Sequence, residues 1–257
     1  MDMPVLLPHE RLDEVNHGIR LIQNTKGLTF GTDALLLAAF LPRTPLGCVA
    51  ELGGGTGIVS LLALKTKRLS HIDCIEVQPS FAELIARNAA LNALTEQITV
   101  HAQDLRDYAA CGERCGKMDA VLANPPYMLP SGKENEAREK QAARHEVFGG
   151  IANFAVAAAR LLRFGGRFYC VYRPDRLIDL IAALRESRLE PKRMTFVHAD
   201  VATAPSMVLL EAVLGGKSGL RVTPPLFIYR DSESRPRVYS EEMQEILKSG
   251  HFPAAYE

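Results

Sequence analysis

The stretch GCVAELGGGTG, residues 47–57, decides the fold of this 257-residue chain. Its first half, Gly47 to Leu52, predicts a buried strand, and its glycines permit a sharp turn at which backbone can approach a ligand closely. Residues 57–64 then predict the start of a helix, whose N-terminus favours a polar or negative group. The spacing differs from the G-x-G-x-x-G pattern of dinucleotide sites, and no Lys-Ser/Thr pair follows as in a phosphate-binding loop.

The alternation of strand and helix continues after this turn. The pattern predicts strands at 71–77, 98–102, 118–123 and 166–171, and helices at 80–91, 151–162 and 177–184. Such alternation favours a parallel sheet with helices on both faces. Residues 193–198 and 207–214 are strand-like with no full helix between them, which suggests an antiparallel pair that closes the sheet. We therefore expect an α/β fold.

The domain organisation follows from length and local composition. A chain of 257 residues suits one large α/β domain with small appendages. Residues 1–33 precede the first core strand and form an N-terminal extension, residues 34–230 form the main domain, and residues 231–257 form a tail. The charged, proline-bearing segment 230–236 predicts that this tail is a loop with a short helix.

Composition excludes some classes of protein. The 30 basic and 30 acidic residues balance, so a nucleic-acid surface would have to be a local basic patch. No apolar run of about 18 residues predicts a membrane span, and residues 1–13 lack a signal-peptide pattern. Cys48, Cys74 and Cys170 lie in apolar runs and are expected to be buried. Cys111 and Cys115 have no second Cys/His pair nearby, so we expect no metal site. A reduced cytosolic, hence cytoplasmic, location fits this cysteine usage best.

Two acids flank the glycine turn. Glu51 ends a buried strand, where an unpaired charge is costly, and beside the turn it can face a cationic amino group. Glu76 closes the second strand, 19 residues beyond Gly57. A carboxylate at that place can accept both ribose hydroxyls of an adenosine. The alternative is that these are ordinary turn glycines and strand-end acids.

The tetrapeptide Asn-Pro-Pro-Tyr, residues 124–127, ends the fourth predicted strand and is the most specific signal in the chain. Pro125 and Pro126 fix an extended path and remove two backbone donors, while the carbonyls remain available. The Asn124 side chain and the Pro125 carbonyl can each accept a hydrogen bond from a conjugated NH₂ group, whose nitrogen is a poor nucleophile. That contact orients the lone pair and stabilises charge developing on nitrogen. Tyr127 can stack on a flat substrate. A proline-rich surface loop is the alternative.

Together these features resemble the class I, Rossmann-like methyltransferases that use S-adenosylmethionine. Their acid-x-Gly-x-Gly-x-Gly turn corresponds to Glu51, Gly53, Gly55 and Gly57. The resemblance implies that Glu51 and the backbone from Gly53 through Gly54 to Gly57 hold the methionine part of the cofactor. It also implies a mostly parallel seven-stranded sheet with an antiparallel C-terminal pair. The remaining implied cofactor contacts are Glu76 and Val77 on the ribose side, Asp104 and Leu105 near the adenine, and Asn124. Asp104 could equally be a helix N-cap.

Further segments resemble the bacterial valine-tRNA adenine-N6 methyltransferase family. They are residues 27–38, Ala-Arg-His-Glu at 143–146, and 211–229. The resemblance implies methylation of the adenine 3′ of the anticodon, and a cofactor lid at Gln23, Phe30, Gly31, Thr32 and Asp33. Basic residues near the catalytic loop and C-terminus are candidate phosphate contacts, or simply a solvated face: Lys133, Arg138, Lys140, Arg144, Lys192, Arg193, Lys217 and Arg221. His145 either helps to place the substrate or is structural.

Other functions remain open at this point. The Asn/Asp-Pro-Pro-Tyr box also occurs in protein glutamine-N5 methyltransferases, which usually carry a helical N-terminal domain that residues 1–33 are too short to build. It occurs in DNA adenine methyltransferases as well, for whose target-recognition domain there is no room. A non-catalytic cofactor- or RNA-binding protein is a third alternative, against which intact Asn124 and Tyr127 argue. We expect tRNA as partner, no membrane and no metal, and a monomer or weak homodimer.

Overall fold

The computed structural model describes residues 4–25, 30–110, 112–125, 150–233 and 236–257. Within them, two strands pair as a separate N-terminal hairpin and nine more form one sheet. In chain order the strands are β1 (Glu10–Val15), β2 (Ile19–Asn24), β3 (Val49–Leu52), β4 (Ile72–Ile75), β5 (Ile98–His101), β6 (Met118–Ala123), β7 (Leu162–Tyr172), β8 (Leu189–His198), β9 (Pro205–Leu214), β10 (Arg221–Val222) and β11 (Leu226–Phe227).

The order of the strands confirms the predicted architecture. The main sheet runs β10-β8-β9-β7-β6-β3-β4-β5, with β11 also paired to β8. Strands β3 to β7 are mutually parallel, whereas β9 lies antiparallel to both β7 and β8. The mostly parallel seven-stranded sheet with an antiparallel C-terminal pair is therefore present. The two-residue strands β10 and β11, which are too short to leave a pattern, extend it to nine strands.

Helices cover both faces of the sheet. In chain order they are α1 (Thr32–Ala39), α2 (Ile58–Lys65), α3 (Pro79–Leu91), α4 (Leu105–Ala110), α5 (Ile151–Leu161), α6 (Leu177–Glu186) and α7 (Glu241–Ser249). Side chains of β3 alternate between two apolar clusters, because successive strand residues point to opposite faces. Val49 packs with α1 and α2, whereas Ala50 and Leu52 pack with α4, α5 and α6. Burial on both faces explains why the central strands read as continuous apolar runs.

The N-terminal hairpin is fastened to α3 by two asparagines. Asn88 is fully buried; its Oδ1 accepts from the Ile22 backbone N–H at 2.8 Å, and its Nδ2 donates to the carbonyls of Ile22 and Thr56 at 3.1 and 2.9 Å. Asn92 binds both backbone groups of Arg20 in the same way. Since Thr56 belongs to the glycine turn, Asn88 joins the hairpin and the turn to one helix.

The C-terminal tail is held against the body of the molecule. It contains the predicted short helix, α7, preceded by a loop. The guanidinium of Arg68, which is almost completely buried, donates to the carbonyls of Leu41 and Gly250 at 2.9 and 3.0 Å. These bonds give acceptors to two nitrogens of the buried guanidinium and join the tail to the segment that follows α1.

The cysteines are partly as predicted. Cys74 and Cys170 are buried, which confirms the prediction for both. The prediction for Cys48 is wrong: it lies just before the amino end of the central strand β3, where it is exposed. Cys111 lies outside the described residues. Across the described ranges, no three His, Cys, Asp or Glu side chains gather as a metal site requires, and no helix is long and apolar enough to cross a membrane.

Candidate functional site

The glycine turn has the geometry that only glycine adopts readily. Gly53, Gly55 and Gly57 have φ values of +75°, +56° and +81°, a region that strains residues carrying a Cβ. The N–H groups of Gly53 and Gly54 donate to the Ile75 carbonyl at 2.8 and 3.2 Å, which fixes the turn against the end of β4. A Cβ on Gly55 would meet nothing within 4 Å, so the turn is open on that side.

Three chemically distinct residues follow neighbouring strand ends. Leu52 of β3 pairs with Ile75 of β4 on one side and with Ala123 of β6 on the other. The next residues, Gly53, Glu76 and Asn124, therefore lie side by side at spacings of about 4.8 Å. After β3, the next two strands in the chain, β4 and β5, are added on one side of β3, and the following strands, β6 and β7, are added on its other side. Such a switch point at the carboxyl ends of parallel strands is where α/β sheets bind ligands.

Glu76 is fixed by backbone donors. One carboxylate oxygen accepts from the Gly55 N–H at 2.9 Å, and the other accepts from the Gln78 N–H at 2.9 Å. Its relative exposure is only 5%. Each carboxylate oxygen can accept more than one hydrogen bond. The side chain is thus held rigidly beside Gly55.

The buried carboxyl of Glu51 contacts α2 and β4. The Ser60 hydroxyl of α2 donates to its carboxylate, and Cys74 Sγ lies 3.8 Å from the same oxygen. Only 2% of the residue is exposed. Burial raises the pKa of Glu51 to about 7, more than the hydrogen bond from Ser60 lowers it. The cationic amino group of a ligand, which we expect to face Glu51, would have to approach this buried carboxyl through the glycine turn.

The raised pKa of Glu51 makes stability depend on pH. Between the ordinary carboxyl pKa of 4.5 and about 7, the folded protein binds more protons at Glu51 than the unfolded chain does. Stability contributed by this group is therefore complete below pH 4.5 and is lost as the pH rises through 7. The Glu51→Gln variant does not titrate at this position. The difference in unfolding free energy between this variant and the parent should therefore shift in favour of the variant by on the order of 2 kcal/mol as the pH rises from 5 to 8.

Urea unfolding of cofactor-free protein at both pH values measures this gain. The Glu186→Gln variant, on an exposed position of α6, is the matched control and should follow the parent at both. If the difference in unfolding free energy between Glu51→Gln and the parent is the same at pH 5 and pH 8, burial does not hold the proton on Glu51.

Asp104 serves as the helix N-cap that was its alternative role. Its Oδ1 accepts from the N–H of Arg106 at 2.8 Å and from Arg106 Nε at 2.9 Å, at the start of α4. The bond from the Arg106 side chain lowers the pKa of Asp104 despite partial burial. Neighbouring Leu105 is buried in the core, and Val77 is half-buried next to Glu76. A contact from Asp104 to adenine stays a prediction.

The start of the tetrapeptide meets the start of α1. Asn124 is half-buried and its Nδ2 donates to Asp33 Oδ2 at 2.9 Å, while Pro125 is buried. Among the other predicted lid residues, Gln23 accepts from the Phe30 N–H at 2.7 Å, Gly31 precedes α1, and Thr32 begins it. Several predicted residues lie outside the described ranges: Pro126, Tyr127, Lys133, Arg138, Lys140, Arg144 and His145.

The structure contradicts one predicted phosphate contact and separates two others from the turn. Arg193 is 8% exposed and is enclosed by Glu211, Phe40 and Tyr256, so it is structural and unavailable to phosphate. Lys192 Nζ donates to the Lys217 carbonyl at 3.0 Å. Strand β8, which carries Lys192, lies four strand positions from β3, or roughly 19 Å. Exposed Arg221 lies beside them on β10.

Sequence reasoning did not identify three side chains that support the site. Ser60 holds Glu51, Asn88 holds Thr56, and a Cβ on Gly53 would lie 3.6 Å from the Phe154 ring. In the sequence, Phe154 is one of several apolar residues in a predicted helix, and nothing distinguishes it as a contact of the turn. Ser60 and Asn88 left no signal, because a polar residue inside a helical pattern does not reveal its partner.

Comparison with known proteins yields matches of two kinds. A family model described as "Methyltransferase small domain" matches residues 24–186. A relative from Flavobacteriaceae bacterium (strain 3519-10), named tRNA1(Val) (adenine(37)-N6)-methyltransferase, is 28% identical over 231 residues, which cover 89% of this chain and 94% of the relative. A protein of the same name from Enterobacter sp. (strain 638) is 32% identical over 146 residues, which cover 56% and 58% of the two chains.

Solved structures share the fold. A predicted O-methyltransferase from Agrobacterium tumefaciens has a TM-score of 0.68 at 20% identity, covering 86% of this chain and 97% of that one. A ribosomal protein L11 methylase from Lactobacillus delbrueckii has a TM-score of 0.51 at 19% identity, covering 71% and 77%. At these identities the likeness establishes the architecture alone.

Proposed function

This chain belongs to the methyltransferase small domain family, and we propose that it transfers a methyl group from S-adenosylmethionine to the N6 nitrogen of an adenine in tRNA. The substrate we propose is the adenine 3′ of the anticodon of a valine tRNA, the position in the names of its relatives. One observation supports the proposal: Asn124 and the glycine turn follow paired residues of neighbouring strands, so a side chain that can accept a hydrogen bond lies next to the turn that we propose holds the cofactor.

The residues at the turn fit this cofactor. The open side of Gly55 leaves room for a ligand that backbone must approach, and Glu76 beside it offers acceptor oxygens held in place by two backbone donors. We assign the ribose hydroxyls to Glu76, and the methionine part to the turn, the lid residues and Glu51. Val77, Asp104 and Leu105 are assigned to the adenine side. When bound, S-adenosylmethionine supplies an electrophilic methyl group on a sulfonium centre.

Asn124 and Pro125 perform the positioning that this chemistry requires. The Asn124 side-chain oxygen and the Pro125 carbonyl each accept a hydrogen bond from the adenine NH₂. Both contacts orient the nitrogen lone pair and become stronger as positive charge develops on nitrogen. The proton can leave after transfer, so no strong general base is needed. Tyr127 stacks on a base that has left its own stack, which an anticodon loop permits.

The wider assignments remain part of the proposal. Residues 1–33 act as an extension and cofactor lid, 34–230 as the methyltransferase domain, and 231–257 as a tail. A cytoplasmic monomer or weak homodimer is proposed. Lys192, Lys217 and the basic residues of the segment 126–149 are proposed tRNA contacts, and Arg193 is not among them.

The test is transfer of labelled methyl groups from S-adenosylmethionine to unmodified tRNA, to DNA and to a release factor. We expect label in tRNA, recovered by nucleoside mass spectrometry as N6-methyladenosine. A valine tRNA transcript in which guanine replaces the adenine 3′ of the anticodon should take up none. Label on the release factor alone would assign the chain to glutamine methylation, and label on DNA alone would overturn the tRNA proposal equally.

A further inference from the structure

A hydrogen bond joins the catalytic tetrapeptide to a distant part of the chain. Asn124 Nδ2 lies 2.9 Å from Asp33 Oδ2, although 91 residues separate the two in sequence. Asp33 is the second residue of α1, and Asn124 follows β6. Both side chains are half-buried, so water screens the contact less than it would on the surface.

The chemistry of the two groups fixes the orientation of the amide. The two ends of an asparagine amide are nearly the same size, but one only donates and the other only accepts. An ionised carboxylate only accepts, so it selects the orientation that turns the NH₂ toward Asp33. The opposite orientation would place the Asn124 carbonyl oxygen against the carboxylate of Asp33, where two acceptors repel each other. The amide oxygen therefore faces away from Asp33.

We propose that Asp33 is a positioning residue that selects the productive amide orientation of Asn124. This inference rests on the proposed function, because orientation matters for catalysis only if the Asn124 oxygen accepts from a substrate amine. Had the NH₂ of Asn124 faced that amine, two donors would oppose each other and the acceptor would be lost. Asp33 acts through Asn124, a role distinct from the lid contact to cofactor predicted for it.

The surroundings of Asp33 hold it where this role requires. Residues 34–39 of α1 are buried in the core, so the helix that carries the carboxylate is rigidly placed. The first turn of a helix favours a negative side chain. A Cβ on Gly31 would lie 2.7 Å from Asp33 Oδ1, so glycine at that position leaves room for the carboxylate.

The experiment exchanges donor and acceptor between the two positions. In Asp33→Asn the selection is lost, and kcat for tRNA methylation should fall roughly 10- to 100-fold, as for a misaligned group, with the dissociation constant of S-adenosylmethionine nearly unchanged. In Asn124→Asp two carboxylates face each other, and kcat should fall by a similar factor. The double variant restores one donor and one acceptor and still offers an oxygen to the amine. It should recover about tenfold over Asn124→Asp.

Asp179→Asn is the matched control, because Asp179 also lies in the first turn of a helix, α6, but is exposed and contacts Arg176 instead. It should leave kcat unchanged. A double variant no more active than the weaker single variant would overturn the inference, as would an Asp33→Asn variant that loses cofactor affinity while kcat is retained.

A second measurement needs no substrate and separates this inference from the proposed function. In the ¹⁵N-labelled protein, the side-chain NH₂ resonances of Asn124, identified by their absence in Asn124→Asp, should move in Asp33→Asn and stay in place in Asp179→Asn. Unmoved resonances in Asp33→Asn would overturn the inference whatever the substrate is. If the resonances move but no tRNA is methylated, the proposed function fails and the contact stands.

Discussion

Replacing Asn124 by alanine is expected to lower kcat for tRNA methylation by about 10²- to 10³-fold, the usual loss when a preorganised group that stabilises developing charge is removed. The half-buried amide lies beside the glycine turn, so its oxygen is well placed to accept from an amine there. Cofactor affinity should change little, because Glu76 and the turn are held by bonds that do not involve Asn124. Single-turnover kinetics and calorimetric titration with S-adenosylmethionine measure the two quantities.

Asn16→Ala provides the matched control for this variant. The Asn16 amide also makes a side-chain hydrogen bond, to the Leu247 carbonyl at 3.1 Å, but it does so between the hairpin and α7. Its removal should leave kcat unchanged. Loss of cofactor binding in Asn124→Ala would place Asn124 in the cofactor pocket, and an unchanged kcat would show that another group stabilises the amine.

Much of the fold could be predicted because its signals are local. The apolar run before Gly53 and the helical pattern after Gly57 lie within one short stretch, and β6 was predicted with the bounds that the structure has. Parallel pairing then places the ends of β3, β4 and β6 at one edge. The prediction that Glu76, Gly53 and Asn124 share a site therefore needed only strand bounds and a general rule of topology.

Contacts between distant segments could not be predicted in this way. The hairpin β1–β2 depends on Asn88 and Asn92, which are ordinary polar residues in the pattern of α3. The contact between Asp33 and Asn124 depends on how α1 is placed over the sheet. Neither partner's residue type, nor its spacing along the chain, carries that information.

Arg193 shows the same limit of sequence-based prediction, because contacts with distant residues bury a side chain that was expected to be exposed. It follows Lys192 in a basic pair, which suggests an exposed cation, yet Arg193 is buried whereas Lys192 is only half-buried. What buries Arg193 is Glu211, opposite it in the antiparallel pair of β8 and β9, together with the carbonyls of Phe40 and Tyr256. Only the register of those strands reveals the ion pair.

The second large effect is expected from Arg193→Met, which should lower the free energy of unfolding by about 2–4 kcal/mol, because it breaks a buried ion pair while Glu211 keeps its second contact, to Arg167. Arg193 Nε lies 3.0 Å from Glu211 Oε2, and its other nitrogens donate to Phe40 and Tyr256. The guanidinium also lies 3.8 Å from the centre of the Phe40 ring. One side chain thus joins β8 to α1 and to the tail, and methionine keeps the stem without the charge.

Thermal unfolding separates this structural role from the phosphate contact that the sequence suggested. A loss of that size corresponds to a melting temperature lower by roughly 10 °C in a chain of this length. The neighbouring Lys192→Met is the control and should stay within about 0.5 kcal/mol of the parent, because its side chain is outside the core. Below the transition, Arg193→Met should bind tRNA with the parent's salt dependence, since a buried guanidinium releases no counterions from RNA. A phosphate contact would give the reverse: unchanged stability, weaker binding and a shallower dependence on salt.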